Sequence, residues 1–212
     1  MTGAQPVRLH DYWRSTASYR VRIALNLAEI DYEAVPVDLV AGDQRTEAHM
    51  RRNPQGLVPA LEIDGLCLTQ SMAILDYLEE TGRIALLPSD PAERARVRAI
   101  VQAITCDIHP VCNLRVVARV AELSGEPKAR EEWMGHFIRP GLEAVEAMLP
   151  PTGPFCTGVA PTQADLTLVP QLYNARRWQV PYDDLPRIAE AERACSAIEA
   201  FRDAEPERVR PT

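Results

Sequence analysis

"LVPALEIDGLCLTQSMAILDYLEETG", residues 57–82, decides the fold. "LVPALEI", Leu57 to Ile63, is an apolar run of strand length, and Asp64-Gly65 is the dipeptide of a tight two-residue hairpin. "LCLT", Leu66 to Thr69, therefore returns antiparallel beside it. From Gln70 to Thr81 the period becomes helical, and Gly82 ends the helix without a Cβ penalty. Upstream, Val7 to Trp13 reads as a strand, Ser18 to Glu29 as a helix, and "YEAVPVDL", Tyr32 to Leu39, as a second strand with Val35 and Val37 on one face. Asp43 to Arg52 is polar and makes a short helix or a loop. The order β-α-β-α-β-β-α is that of a small α/β domain. Its two β-α-β connections imply parallel strands, and its hairpin implies an antiparallel edge.

Downstream, "LLPSDPAER", Leu86 to Arg94, carries two prolines and reads as a linker. Helical periodicity fills the rest. One long helix runs from Pro91 to Leu123, bent at Pro110 by the loss of a backbone donor. A second covers Lys128 to Leu149, and "PPTGPF" at Pro150 to Phe155 is a loop. A helix from Thr162 to Trp178 opens on the capping-box pair Thr162 and Asp165. One or two helices follow from Pro186 to Phe201, and the tail "RDAEPERVRPT" is loose. The expected organisation is an α/β domain over 1–84, a linker over 85–91 and an all-helical domain over 92–212.

The 23 Lys and Arg against 30 Asp and Glu leave a net charge of −7, which is no electrostatic footprint for a nucleic-acid partner. No apolar run approaches the roughly 20 residues that span a bilayer. The opening "MTGAQPVRLHDYW" has no signal-peptide core, so the cytoplasm is the expected location. Cys67, Cys106, Cys112, Cys156 and Cys195 are scattered, odd in number and never paired as Cys-x-x-Cys. Reduced, mostly buried thiols are expected, not a disulfide framework or a zinc site. His10, His49, His109 and His136 lack metal-ligand spacing.

"RSTAS", Arg14 to Ser18, crowds Ser15, Thr16 and Ser18 into the start of a helix whose apolar members include Val21, Ala24, Leu25 and Ala28. A hydroxyl there caps unpaired amides. It can also join the positive helix end in stabilising a bound anion, worth about 0.3–1 kcal/mol when exposed. Together they can bring a free thiol, ~8.5, down to between about 6 and 7.5. No cysteine lies in this segment, so the thiol must come from a ligand. In "LVPAL", Pro59 belongs at a strand entrance. Spacing alone favours an ordinary trans bond, whereas a cis bond would leave the Val58 backbone free to pair with an extended peptide. Gln70-Ser71 opens a helix whose amides can bind a carboxylate.

These three elements, in this order and followed by a helical domain, resemble a cytosolic glutathione transferase. "RVRIALNL" after the hydroxyl cluster, "DIHP" with "NLRV" at Asp107 to Val116, and "ADLTLVPQLYNARRW" are similar to the zeta class, the maleylacetoacetate and maleylpyruvate isomerases. The resemblance runs from about Val7 to Phe201. It implies a thioredoxin-like N-terminal domain with cis Pro59, glutathione as cosubstrate and a homodimer. Carried over, Ser15 matches the hydroxyl that bonds the glutathione sulfur, with Thr16 beside it. Val58 would pair with the cysteinyl part, Gln70 and Ser71 would hold the γ-glutamyl carboxylate, and Gln44 would reach the glycyl end. His109 and Asn113, four apart on one helical face, would line the site. The family commonly carries Ser-Ser-Cys-Ser here, and Thr16-Ala17 replace its second Ser and its Cys. That puts in doubt side activities that use a protein thiol, such as reductive dehalogenation.

The implied reaction turns a cis double bond flanked by carbonyls into a trans one, by reversible addition of a thiolate. It needs anchors for carboxylates and positive charge where an enolate forms. The planar fork of arginine suits both. Arg14, Arg115 and Arg177 fall at family positions for this role, with Arg176 read as the solvent-facing member of its pair. Maleylacetoacetate of tyrosine breakdown and maleylpyruvate of gentisate breakdown both fit as substrate. A general transferase or dehalogenase and a non-catalytic module remain alternatives.

Overall fold

The computed structural model describes residues 6–211. Met1 to Gln5, part of the stretch on which the cellular location was argued, lie outside the described residues, as does Thr212. The chain divides into two compact units, Met1–Ala85 together with Ile198–Thr212, and Leu86–Ala197.

The first unit is a four-stranded sheet of order β2-β1-β3-β4, formed by β1 (Arg8–Asp11), β2 (Glu33–Pro36), β3 (Ala60–Ile63) and β4 (Leu66–Thr69). β1 pairs parallel with β2. The Asp64-Gly65 turn has positive φ at both residues, 54° and 76°, as a two-residue hairpin requires, and joins β3 to β4 antiparallel. The second β-α-β connection is not the parallel crossover expected. β3 lies beside β1 and runs antiparallel to it, with Leu9 opposite Leu61. The polar stretch between β2 and β3 holds a 3-10 turn and a six-residue helix, α2 (Glu47–Arg52). At ~1.5 Å per residue that helix is about 9 Å long, too short to carry the chain back along the sheet.

Helices α1 (Thr16–Leu27) and α3 (Ser71–Glu80) pack together and bury Val21, Ala24, Leu25, Ile74, Leu75 and Leu78 with Leu9 and Leu61 of the sheet. Every residue of α1 from Thr16 to Leu25 is buried, because its far side is covered as well. The cover is the C-terminal tail. A short helix, α9 (Glu199–Asp203), packs on α1, with Phe201 1% and Ala204 0% exposed. Asn26 donates to Ala200 O at 3.1 Å and Arg22 Nε to Ala204 O at 3.0 Å. The tail is therefore anchored, not loose, and it falls with the first unit, where a helical domain over 92–212 was expected. Its anchors are backbone carbonyls, which carry no residue-type signal.

The second unit is all-helical: α4 (Pro91–Gln102), α5 (Leu114–Ser124), α6 (Ala129–Met148), α7 (Gln163–Arg177) and α8 (Pro186–Ser196). α7 is its centre, buried from Gln163 to Ala175. The capping box is present: Asp165 Oδ2 accepts from the Thr162 amide at 2.8 Å, and Oδ1 from the Cys156 amide at 2.8 Å. The single bent helix expected over Pro91 to Leu123 is broken instead. A π turn at Ala103–Ile108 follows α4, and the chain leaves the helix before Asn113, whose extended backbone (φ −67°, ψ 142°) starts α5 afresh. Gly141 of α6 accommodates that turn, since a Cβ there would lie 2.5 Å from Ile108 Cδ1. Among the described residues no helix is long and apolar enough to cross a membrane.

Candidate active site

Sheet register gathers the N-terminal motifs. His10 pairs with Ala60, and Ala60 with Thr69. The residues that follow β1, precede β3 and follow β4 therefore leave the same end of the sheet. They are Trp13 to Ser15, Val58-Pro59, and Gln70-Ser71.

Ser15 is the N-cap of α1. Its Oγ accepts from the Ser18 amide at 3.2 Å, and its carbonyl from the Tyr19 amide at 2.9 Å. A hydroxyl has two lone pairs and one proton, so capping occupies the oxygen and leaves the proton to donate outward. Thr16 is buried as the first residue of the helix. Arg14 Nη2 donates to Tyr12 OH at 2.9 Å, and its guanidinium lies 4.7 Å from the Trp13 ring centroid. Arg210, on the returning tail, lies 5.1 Å from the same ring.

The Val58-Pro59 bond is cis, as the family resemblance implied and spacing alone did not. Pairing of β3 starts at Ala60, so Val58 stands outside the ladder. Three residues that the sequence did not single out fix the loop leading into it. Leu57 O accepts from Asn53 Nδ2 and from His49 Nε2, both at 2.8 Å, so His49 carries its proton on Nε2. Asn53 Oδ1 accepts from the Gln55 amide at 3.1 Å, and Gln55 Oε1 accepts from Gln70 Nε2 at 2.6 Å. "NPQG", Asn53 to Gly56, is a turn signature that could have drawn attention to this loop. Gln44 reaches the loop too: a Cβ on Gly56 would lie 3.3 Å from Gln44 O. Its Nε2 donates to Leu39 O at 3.4 Å, while the buried Oε1 has no partner.

Gln70 takes φ 68° and Ser71 begins α3, presenting the amides of its first turn. Ser71 Oγ accepts from Arg20 Nη1 at 3.3 Å. Arg20, one of the three arginines in the stretch around the hydroxyl cluster, is a residue for which the sequence indicated no role. Beneath this end of the sheet His10 donates from Nε2 to Glu62 Oε1 at 3.0 Å, and Arg52 Nε to the same oxygen at 2.9 Å. Burial holds the His10 pKa below its ordinary 6.5, against the pull of Glu62. Burial works to raise that of Glu62, but the bonds from Arg52 and His10 bring it below the usual carboxylate range.

In the second unit, His109 is half-buried at the end of the π turn. Asn113 does not share a helical face with it. Asn113 caps α5, its side chain accepting from the Arg115 amide at 3.2 Å, because the break at Pro110 ends the helical spacing assumed for the pair. Arg115 is exposed in the first turn of α5, where the helix dipole disfavours a cation. Arg176 ion-pairs with Glu192 and donates to Tyr182 OH at 2.6 Å, so its charge is already committed. Arg177 lies beside Trp178, 6.0 Å from the ring centroid.

Residues 5–80 match the glutathione S-transferase N-terminal domain family. The maleylacetoacetate isomerase of Rhizobium meliloti (strain 1021) is 56% identical over 207 residues, 96% of this chain and 97% of that protein. A solved structure described as the holo form of maleyl pyruvate isomerase, a bacterial glutathione S-transferase of the zeta class, superposes with a TM-score of 0.93 at 40% identity, covering 97% of this chain and 99% of that one. The maleylacetoacetate isomerase of Methylobacterium extorquens AM1, solved with bound malonate and GSH, gives 0.90 at 41% identity over 95% and 97% of the two chains. With over half its residues shared along nearly the full length of a curated relative, the chain belongs to the maleylacetoacetate isomerase family of zeta-class glutathione transferases.

Proposed function

We propose that this protein is a glutathione-dependent cis–trans isomerase of a maleyl keto acid, with maleylacetoacetate of tyrosine breakdown as its substrate. The observation that carries the proposal is Ser15. Its oxygen is occupied by the cap of α1, and its proton is left to donate to a sulfur at the positive end of the helix. The residues at this end of the sheet suit glutathione. Val58 offers unpaired backbone to the cysteinyl part, Gln70 and Ser71 take the γ-glutamyl carboxylate, and Gln44 the glycyl end. When bound, glutathione supplies the thiolate that adds reversibly to the double bond and so permits rotation. Ser15 lowers the energy of that anion, as a hydroxyl donor in a partly buried site does. Arg14, Arg115 and Arg177 bind carboxylate and enolate oxygens. The exposed Arg115 stands against its helix dipole, the position of a cation kept for an anionic ligand. Malonate in the structure of a relative is consistent with dicarboxylate recognition.

Maleylpyruvate is the second candidate substrate, favoured by the likeness to a maleyl pyruvate isomerase. Reductive dehalogenation is disfavoured by Ala17, which leaves no protein thiol beside Ser15, and the arginine set favours the isomerase over a general transferase. We further propose a homodimer, by kinship, and a cytoplasmic location, where the five free cysteines stay reduced. The test is isomerisation of maleylacetone, maleylacetoacetate and maleylpyruvate with and without glutathione. Turnover that requires glutathione is expected. Equal rates without it, or none at saturating glutathione, would sink the proposal, and the ratio of kcat/KM values assigns the substrate.

A further inference from the structure

Arg20 differs from the other buried charges of the first unit. It is 2% exposed and makes one side-chain hydrogen bond, to Ser71 Oγ, while its Nε and Nη2 have no partner. No carboxylate among the described residues offsets it, and burial alone pushes its pKa down to about 10. Two positions along the same helix, Arg22 is equally buried, but each of its three guanidinium nitrogens has a partner. Its Nη1 donates to Asp11 Oδ2 at 2.7 Å, its Nη2 to Trp13 O at 3.0 Å and its Nε to Ala204 O. A buried cation without a counter-ion is among the most destabilising groups a fold can hold. The bond it does make leads to the start of α3, a ten-residue helix whose first amides already favour an anion.

We propose that Arg20 is a positioning residue for the γ-glutamyl carboxylate of glutathione, acting through the Ser71 hydroxyl; the proposal rests on the glutathione assignment above. Nη1–H donates into Ser71 Oγ, which turns the hydroxyl proton away from the guanidinium and toward whatever sits at the helix start. A carboxylate there accepts that proton's hydrogen bond and brings the missing negative charge. The cation is thus compensated only in the liganded protein.

Calorimetric titration of wild type, Arg20→Met and Arg20→Lys tests this, using glutathione and the analogue in which 4-aminobutyrate replaces the γ-glutamyl residue, which lacks only that carboxylate. Arg20→Met is expected to weaken glutathione binding about 10- to 100-fold, the range for a hydrogen bond to a charged group. Its binding of the analogue is expected to stay within about threefold of wild type. Arg20→Lys restores part of the loss. Without ligand, the Tm of Arg20→Met is expected to equal or exceed that of wild type, and saturating glutathione reverses the order. Equal weakening of both ligands, or unchanged glutathione affinity, overturns the proposal. Should Arg20→Met not fold, Ser71→Ala takes its place: it must lose glutathione affinity and keep that for the analogue, and wild-type affinity for glutathione in that variant overturns the relay. A wild-type protein that binds neither ligand refutes the glutathione assignment itself.

Discussion

Ser15 serves structure and chemistry with different atoms, its oxygen toward the Ser18 amide and its proton outward. Ser15→Ala should lower kcat at neutral pH about 10- to 1000-fold, or ~1.4–4 kcal/mol, and move the rising limb of the pH–rate profile upward. A profile that drops without moving would remove Ser15 from thiolate stabilisation. The lost cap also costs about 1 kcal/mol of stability, which a melting curve measures separately. Arg115→Ala should chiefly raise KM for an anionic substrate. The check is a neutral ester analogue, and an equal loss with the ester would refute a carboxylate anchor. At this scale, residues whose local pattern states their structural place were legible: Ser15 at the start of a helix, Gln70-Ser71 between a strand and a helix, Thr162 with Asp165 as a capping box. Arg20 was not, because an arginine in an amphipathic helix reads as solvent-facing until a distant segment covers it. Asn53 and His49 bind a backbone carbonyl, which no residue pattern announces.

At the scale of elements, the hairpin, the strands and the two longer helices of the first eighty residues were readable, since period and turn chemistry are local, whereas Asp43 to Arg52 stayed open between helix and loop and holds a 3-10 turn and α2. Strand direction was not, because β3 chooses its neighbour by pairing with β1 rather than by its connection to β2. The break near Pro110 was misread as a bend for a similar reason. A proline announces a lost donor, but whether the helix resumes depends on a new cap, here Asn113. β1 and β3 are bridged by His10 and Glu62, and both have folded-state pKa values below their ordinary ones. Groups shifted downward stabilise the fold above the unfolded-state value and lose that contribution as pH falls. Tm should therefore decline as pH drops below about 6.5, where an unperturbed histidine begins to bind a proton, and further through the carboxylate range. His10→Gln should flatten the upper part of that decline in calorimetric scans. An unchanged slope would show that the bridge does not set it.

At the scale of the molecule, the tail closes the first unit over α1. Arg22 connects Asp11, Trp13 O and Ala204 O in one buried cluster. Arg22→Met strands the Asp11 carboxylate and should cost about 3–5 kcal/mol, lowering Tm in a thermal scan. A loss under about 1 kcal/mol, the scale of an exposed pair, would show that Asp11 is rescued by solvent. Deleting 198–212 removes Phe201 from its buried site as well, and should leave a protein that melts lower than Arg22→Met.

The same closure makes the first unit a host and the helical unit its guest, since residues 86–197 enter and leave between two segments of one compact body. A single proteolytic cut near Leu86 would not liberate either half, because residue 198 onward stays moored to the host. A fragment meant to hold the first unit on its own must accordingly carry residues 198–212 as well as 1–85, and an ordinary C-terminal truncation at the interdomain linker does not provide them.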